Sequence, residues 1–223
     1  STQSPFAQRA MLAKTFHVPE SDMRIIATYV GGGFGCKAGV TMEAVPVALA
    51  LKLKGHPIKF RLTREEEFYT NFVRQGLILN LKVGCDKDGN VLAMENTMYW
   101  DGGAYTEYGV NVTRAGGYSS SGPFDIPNVK TDSICVYTNH PSGGPYRGFG
   151  MSELHTGLLQ VMDMLAEKIG MDKVEFLKKN VIQGGDIVAT GMTMHETGIK
   201  ECVDKVAAAI DWGKKEKPSA ANK

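Results

Sequence analysis

The sequence predicts an α+β fold, a mixed or antiparallel sheet with packed helices, from three observations. Strand-like and helix-like segments do not alternate regularly, as a doubly wound parallel sheet would require. The clearest strands form a hairpin. Leu77, Leu79, Leu81 and Val83 alternate with Ile78, Asn80 and Lys82, and Cys85-Asp86-Lys87-Asp88-Gly89-Asn90 turns the chain into a second strand over residues 91–100. The third observation is an amphipathic helix over residues 153–169, with Leu154, Leu158, Val161, Met162 and Leu165 at helical spacing.

The remaining elements follow in order. Residues 8–16 read as a helix with Met11, Leu12 and Phe16 on one face and Pro5 near its start. Residues 23–30 are rich in β-branched side chains and read as a strand. Residues 41–53 form an almost wholly apolar helix, broken only by Thr41, Glu43 and Lys52 and expected to be buried on most sides; Pro46 sits in its first turns, where a missing amide is tolerated. Residues 56–62 and 129–137 read as strands, and 172–179 and 198–210 as helices. Arg64-Glu65-Glu66-Glu67 reads as a solvated helix start. Residues 1–213 are expected to form a fragment or one subunit of something larger, with 214–223 as a polar, disordered tail.

Composition narrows the function. With 223 residues and 43% hydrophobic content the chain can bury a core. Its 25 Lys+Arg against 24 Asp+Glu do not steer it toward nucleic acid or an anionic membrane. No apolar run reaches the roughly 20 residues of a membrane span. No secretory signal is visible at the start, so a cytoplasmic location is expected. Cys36, Cys85, Cys135 and Cys202 are widely spaced without a CxxC pair, which argues for free thiols in a reducing compartment rather than a disulfide framework or zinc site. The histidines are scattered, and no direct metal ligand is expected in this chain.

Two glycine loops carry the chemistry. Gly31-Gly32-Gly33-Phe34-Gly35 follows one predicted strand and precedes a helix. A dinucleotide fingerprint would need glycine at 36, which is Cys, and an acidic residue about 20 positions on, where residues 52–55 supply none. A phosphate loop of the Gly-Lys-Ser/Thr type fails at Cys36-Lys37-Ala38. What remains is a run of bare amides able to donate to phosphate or an oxo group, beside an aromatic wall. Gly143-Gly144-Pro145-Tyr146-Arg147-Gly148-Phe149-Gly150 is the second loop, where an arginine suits an anion and an aromatic suits a planar ligand. Two Gly-Phe-Gly loops more than a hundred residues apart are expected to converge on one site.

Gly-Gly-Gly-Phe-Gly-x-Lys after a strand and Tyr-Arg-Gly-Phe-Gly before a long helix resemble the molybdenum-binding subunit of xanthine dehydrogenases and aldehyde oxidases. The spaced features Ser1-Thr2-Gln3, Leu62-Thr63-Arg64-Glu65-Glu66, Ile126-Pro127-Asn128 and Asn180 with Gly184-Gly185-Asp186 carry the resemblance along nearly the whole chain. It implies a molybdenum–pyranopterin cofactor, in its molybdopterin or dinucleotide form. It also implies oxidation of an aromatic heterocycle or aldehyde with water as oxygen source, electrons passing to Fe–S and FAD partner domains or subunits. By the same resemblance, Gln3 faces the oxo group, Gly33, Phe34 and Gly35 form the first cofactor wall, and Tyr146 and Arg147 form the second. Phe149 stacks on substrate and Arg114 orients it. Ala38 stands where xanthine enzymes carry a substrate-binding glutamate, which argues against ordinary xanthine recognition. Cys36 replaces a usual glycine and either narrows the pocket or is simply tolerated. The family's Gly-Glu catalytic base has no counterpart, and Glu153 and Glu196 are poor substitutes. No catalytic residue is therefore expected in this chain, which alone would be inactive and would act with the remainder of its subunit. The alternative reading is a non-catalytic scaffold that binds partner subunits and uses its glycine loops only as turns.

Overall fold

The structure, a computed structural model, describes residues 1–213; the expected disordered tail lies outside the described residues. The chain divides into two compact units. The first is Ser1–Leu79, Thr97–Tyr118 and Asp132–Leu154, and the second is Asn80–Asn96, Ser119–Thr131 and the described residues from His155 to Gly213. Helices are α1 (Pro5–Phe16), α2 (Ala44–Lys52), α3 (Arg64–Thr70), α4 (Gly109–Tyr118), α5 (Met151–Ile169), α6 (Lys173–Asn180) and α7 (Ile199–Ala209). Strands are β1 (Val73–Arg74), β2 (Leu77–Cys85), β3 (Val91–Asp101), β4 (Asn128–Val136) and β5 (Gly143–Gly144). β1 and β5 form a parallel pair, and β2-β3-β4 form a three-stranded sheet in that order. Two separate sheets beside packed helices fit the expected α+β class.

In the first unit α1 begins at Pro5, whose fixed φ and missing amide suit a first helical turn. His17 ends it in the left-handed region, and Val18 N–H donates back to the Ala13 carbonyl at 3.0 Å. Thr63 caps α3 through a reciprocal capping box with Glu66. This is the solvated helix start expected from Arg64–Glu67. The local core is Met98, Trp100, Val112 and Leu154, with Leu77, Leu79 and Phe149 packed against it.

Helix α4 is the element that the sequence does not signal, because Gly116-Gly117 reads as a loop. Packing overrides propensity there. A Cβ on Gly116 would lie 2.4 Å from the ring of Trp100, so only glycine lets the indole lie on the helix. Trp100 Nε1–H then donates to Ser133 Oγ at 3.0 Å, and Ser133 Oγ–H donates to the Thr113 carbonyl at 2.8 Å.

Three expectations for this unit are corrected. Residues 23–30 and 56–62 are not strands; they run without regular structure. A β-rich sequence makes a ladder only where a partner strand offers its amides and carbonyls, and among the described residues neither segment has one. α2 is as apolar as expected, yet none of its residues is buried, and Val45, Leu49 and Leu51 stand exposed.

In the second unit Val91, Met94, Phe124, Ile126, Leu158, Met162, Ala166, Phe176 and Val181 form the core. Asn180, nearly buried, joins the hairpin to α6: its Oδ1 accepts from Val91 N–H at 2.9 Å, and its Nδ2 donates to the Gly89 carbonyl at 2.8 Å. Asp172 caps α6, accepting from the amides of Val174 and Glu175. Its other oxygen accepts from Trp212 Nε1–H at 2.9 Å, just beyond α7. Burial pushes the Asp172 carboxyl up, but the bonds from Trp212, Glu175 and Val174 outweigh it and hold it below the usual range. A depressed native pKa means that the cap's contribution is present above the ordinary aspartate range and lost as pH falls through the native value. Asp172→Ala is expected to cost about 1 kcal/mol at neutral pH. The difference from the parent should shrink in acid, as read by chemical denaturation at both pH values.

Candidate functional site

The first loop owes its shape to residues that accept positive φ. Gly31, Gly32 and Gly35 lie at φ 68°, 96° and 100°, and Phe34 itself is left-handed at 54°. A non-glycine residue held there costs on the order of 1–2 kcal/mol, so packing must hold it. Phe34 folds its ring over Gly32, where a Cβ would come within 2.7 Å of it, yet stays 55% exposed, a flat face open on one side. Lys37 Nζ donates to the Val30 carbonyl at 2.6 Å and ties the two ends of the loop together. The Cys36 thiol turns inward and donates to the Gly33 carbonyl at 3.0 Å, which makes it a strut of the loop.

Gln3 is held against this loop from outside. Its N–H donates to the Lys37 carbonyl at 2.9 Å, and its Oε1 accepts from Gly35 N–H at 3.0 Å and Lys37 N–H at 3.2 Å. A Cβ on Gly33 would lie 2.3 Å from Gln3 Cδ, so the side chain fits only over glycine. With Oε1 engaged by two amides, the orientation of the amide group is set, and Nε2 is the end left to donate; it has no partner among the described residues.

The second loop repeats the backbone pattern. Phe149 is left-handed at φ 50°, between Gly148 at 99° and Gly150 at 93°, and its N–H donates to the Tyr146 carbonyl at 2.8 Å. Gly150 seats this loop on α4: a Cβ there would lie 2.9 Å from the Val112 carbonyl and 3.3 Å from Gly116 N. Phe149 therefore packs against the core of Met98, Trp100, Val112 and Leu154 and is only partly exposed. Tyr146 and Arg147 are exposed.

The two loops meet. A Cβ on Gly35 would lie 2.6 Å from the Pro145 carbonyl oxygen and 2.7 Å from its carbon. The expected convergence is thus a backbone-on-backbone contact, with Gln3, Gly33 and Phe34 on one side and Tyr146 and Arg147 following Pro145 on the other. Arg114 stands exposed on the turn of α4 that Gly150 packs against, with no side-chain partner among the described residues. Glu153 is not free: its Oε1 pairs with Arg74 Nη1 at 2.9 Å. Among the described residues no group of three His, Cys, Asp or Glu could hold a metal, and the four cysteines are unpaired.

Sequence reasoning missed two residues here. Arg74, on β1, reaches the second loop at two points, the Arg147 carbonyl at 2.7 Å and the Tyr146 ring, 4.7 Å from its centroid, and pairs with Glu153 in the first turn of α5. Glu107 lies against Gly39, just past the first loop, where a Cβ would come within 2.3 Å of its Oε1. Both carboxylate oxygens are sealed from solvent. Burial raises its pKa, and the amides of Tyr108 and Val40 only partly oppose this.

Two expectations follow. Gly35→Ala must both strain φ and push back a backbone carbonyl, so it should cost at least about 2 kcal/mol, whereas Gly31→Ala, whose Cβ meets nothing, should cost about 1 kcal/mol. Paired denaturation curves check the order. For Glu107 the native pKa is raised, so its penalty is absent below the ordinary glutamate range and grows as pH rises from there through the native value. Glu107→Gln should therefore gain stability on the parent between acid and neutral pH, in denaturation curves followed across that range.

The family profile for the molybdopterin cofactor-binding domain matches residues 1–181. The chain is 34% identical to the nicotinate dehydrogenase large molybdopterin subunit of Eubacterium barkeri, over 92% of this chain and 48% of that protein. It is 32% identical to the xanthine dehydrogenase molybdenum-binding subunit of Escherichia coli O157:H7, over 96% of this chain and 29% of that one. The solved aldehyde oxidoreductase from Desulfovibrio gigas superposes with a TM-score of 0.86 at 31% identity, covering 95% of this chain and 24% of that chain. The chain thus spans between about a quarter and a half of the length of these relatives. With its two Gly-Phe-Gly loops joined at Gly35 and Pro145, the chain belongs to the molybdopterin cofactor-binding domain family.

Proposed function

We propose that the chain is the cofactor-binding part of a molybdenum hydroxylase that oxidises an aromatic heterocycle or an aldehyde with oxygen taken from water. The observation that carries this reading is the Gly35–Pro145 contact, which joins two glycine-rich walls while leaving the Gln3 Nε2 donor unused. When bound, the cofactor supplies the two-electron oxidation and passes the electrons to Fe–S and FAD partners.

The residues present fit such a group. Gln3, its oxygen fixed by two amides, aims an N–H donor suited to an oxo ligand. Gly33 and Gly35 let the backbone approach closely, and Phe34 excludes water from one side. Tyr146 and Arg147 line the opposite wall, with the guanidinium of Arg147 available to an anionic pterin substituent. Phe149 is held by the core and suits stacking on a planar substrate, and the guanidinium of Arg114, without a side-chain partner among the described residues, suits a carboxylate or ring carbonyl. Ala38 leaves out an acidic group, which disfavours a xanthine-like substrate. With Glu153 committed to Arg74, the general base comes from outside these residues, and the active unit is this chain together with the remainder of its molybdenum subunit.

The test is metal and pterin analysis of the intact protein, followed by Gln3→Ala. One equivalent of molybdenum per chain is expected. Turnover should fall roughly tenfold or more on losing a hydrogen bond to a charged group. Intact protein purified without molybdenum or pterin would overturn the reading.

A further inference from the structure

We propose that Arg74 is a positioning residue that holds the second loop in the form in which it faces the cofactor. The inference rests on the reading of that loop as a cofactor wall. Its own basis is a set of contacts from one guanidinium. Nη2 donates to the Arg147 carbonyl at 2.7 Å, Nη1 pairs with Glu153 Oε1 at 2.9 Å, and the group lies 4.7 Å from the centre of the Tyr146 ring. These partners are a loop carbonyl, a loop aromatic and the first turn of α5, the helix that the loop leads into.

The carbonyl bond does more than tether. A trans peptide is planar, with its N–H pointing opposite to its C=O. Fixing the Arg147 carbonyl toward Arg74 therefore fixes the Gly148 N–H on the opposite side of that peptide. That N–H donates to no described residue. The aromatic contact holds Tyr146 in the same stroke, and the Glu153 pair, with a carboxylate side chain only 12% exposed, stops the guanidinium from swinging out to solvent. Arg74 is itself placed by the backbone, since β1 pairs in parallel with β5 and Arg74 stands opposite Gly144 at the mouth of the loop. A lysine cannot replace it, because an ammonium lacks the planar fork that serves a carbonyl and a carboxylate while lying over a ring.

The test compares the intact protein with Arg74→Lys and Glu153→Gln, using two readouts. One is the rate at which molybdenum is lost during prolonged dialysis. The other is hydrogen exchange of the Phe149 and Met151 amides, which donate to the Tyr146 and Gly148 carbonyls inside the loop. Arg74→Lys is expected to speed both about tenfold, leaving exchange in β3 unchanged, and Glu153→Gln should give a smaller change in the same direction. Loss and loop exchange within twofold of the parent in Arg74→Lys would overturn the proposal, as would an equal rise in exchange across β3. If Arg74→Lys does not assemble, Glu153→Gln decides, and parent-like behaviour there counts against the proposal. A parent protein without molybdenum would sink the functional reading alone, because loop exchange reports on Arg74 whether or not cofactor is bound.

Discussion

Two stretches of backbone more than a hundred residues apart touch at Gly35 and Pro145, and the site depends on that contact. The chain can come this close only where no side chain intervenes: a methyl on Gly35 would overlap the Pro145 carbonyl. The same requirement recurs around the site. Gly33 admits the side chain of Gln3, Gly150 admits the backbone of α4, and Gly116 admits the ring of Trp100. These glycines serve close approach more than flexibility. Their conformational cost on folding is offset by contacts that no other residue permits.

Each loop also holds a phenylalanine in the left-handed region, and each is braced by polar contacts from distant elements. Gln3 braces the first loop from the start of the chain, and Arg74 braces the second from β1. Strain of this kind persists only where its surroundings over-determine it, and here those surroundings are named hydrogen bonds. Geometry prepared in this way lets a ligand bind without first ordering the loops, which lowers the entropic cost of binding.

Much of this was legible in the sequence, for local reasons. The hairpin, the long helix and α6 announce themselves through periodicity and caps, and the glycine loops through composition. The two loops could be paired because both carry Gly-Phe-Gly. Other features were hidden because tertiary contacts decide them. α4 forms through a glycine pair because Trp100 needs the space. Residues 23–30 and 56–62 have strand-like sequences but no partner strand among the described residues. Arg74 and Glu107 carry no local signal in the sequence; the partners of Arg74 lie more than seventy residues away, and Glu107 is recognisable only by what it is buried against.

On the proposed function, the Gly31–Gly35 and Tyr146–Gly150 loops are facing walls of one molybdenum cofactor site. An experimental density map of the intact, molybdenum-containing protein tests it most directly. Pterin density is expected between the two loops, with Gln3 Nε2 within hydrogen-bond reach of an oxygen on the metal. Cofactor density seated elsewhere, with both loops contacting only protein, would contradict it.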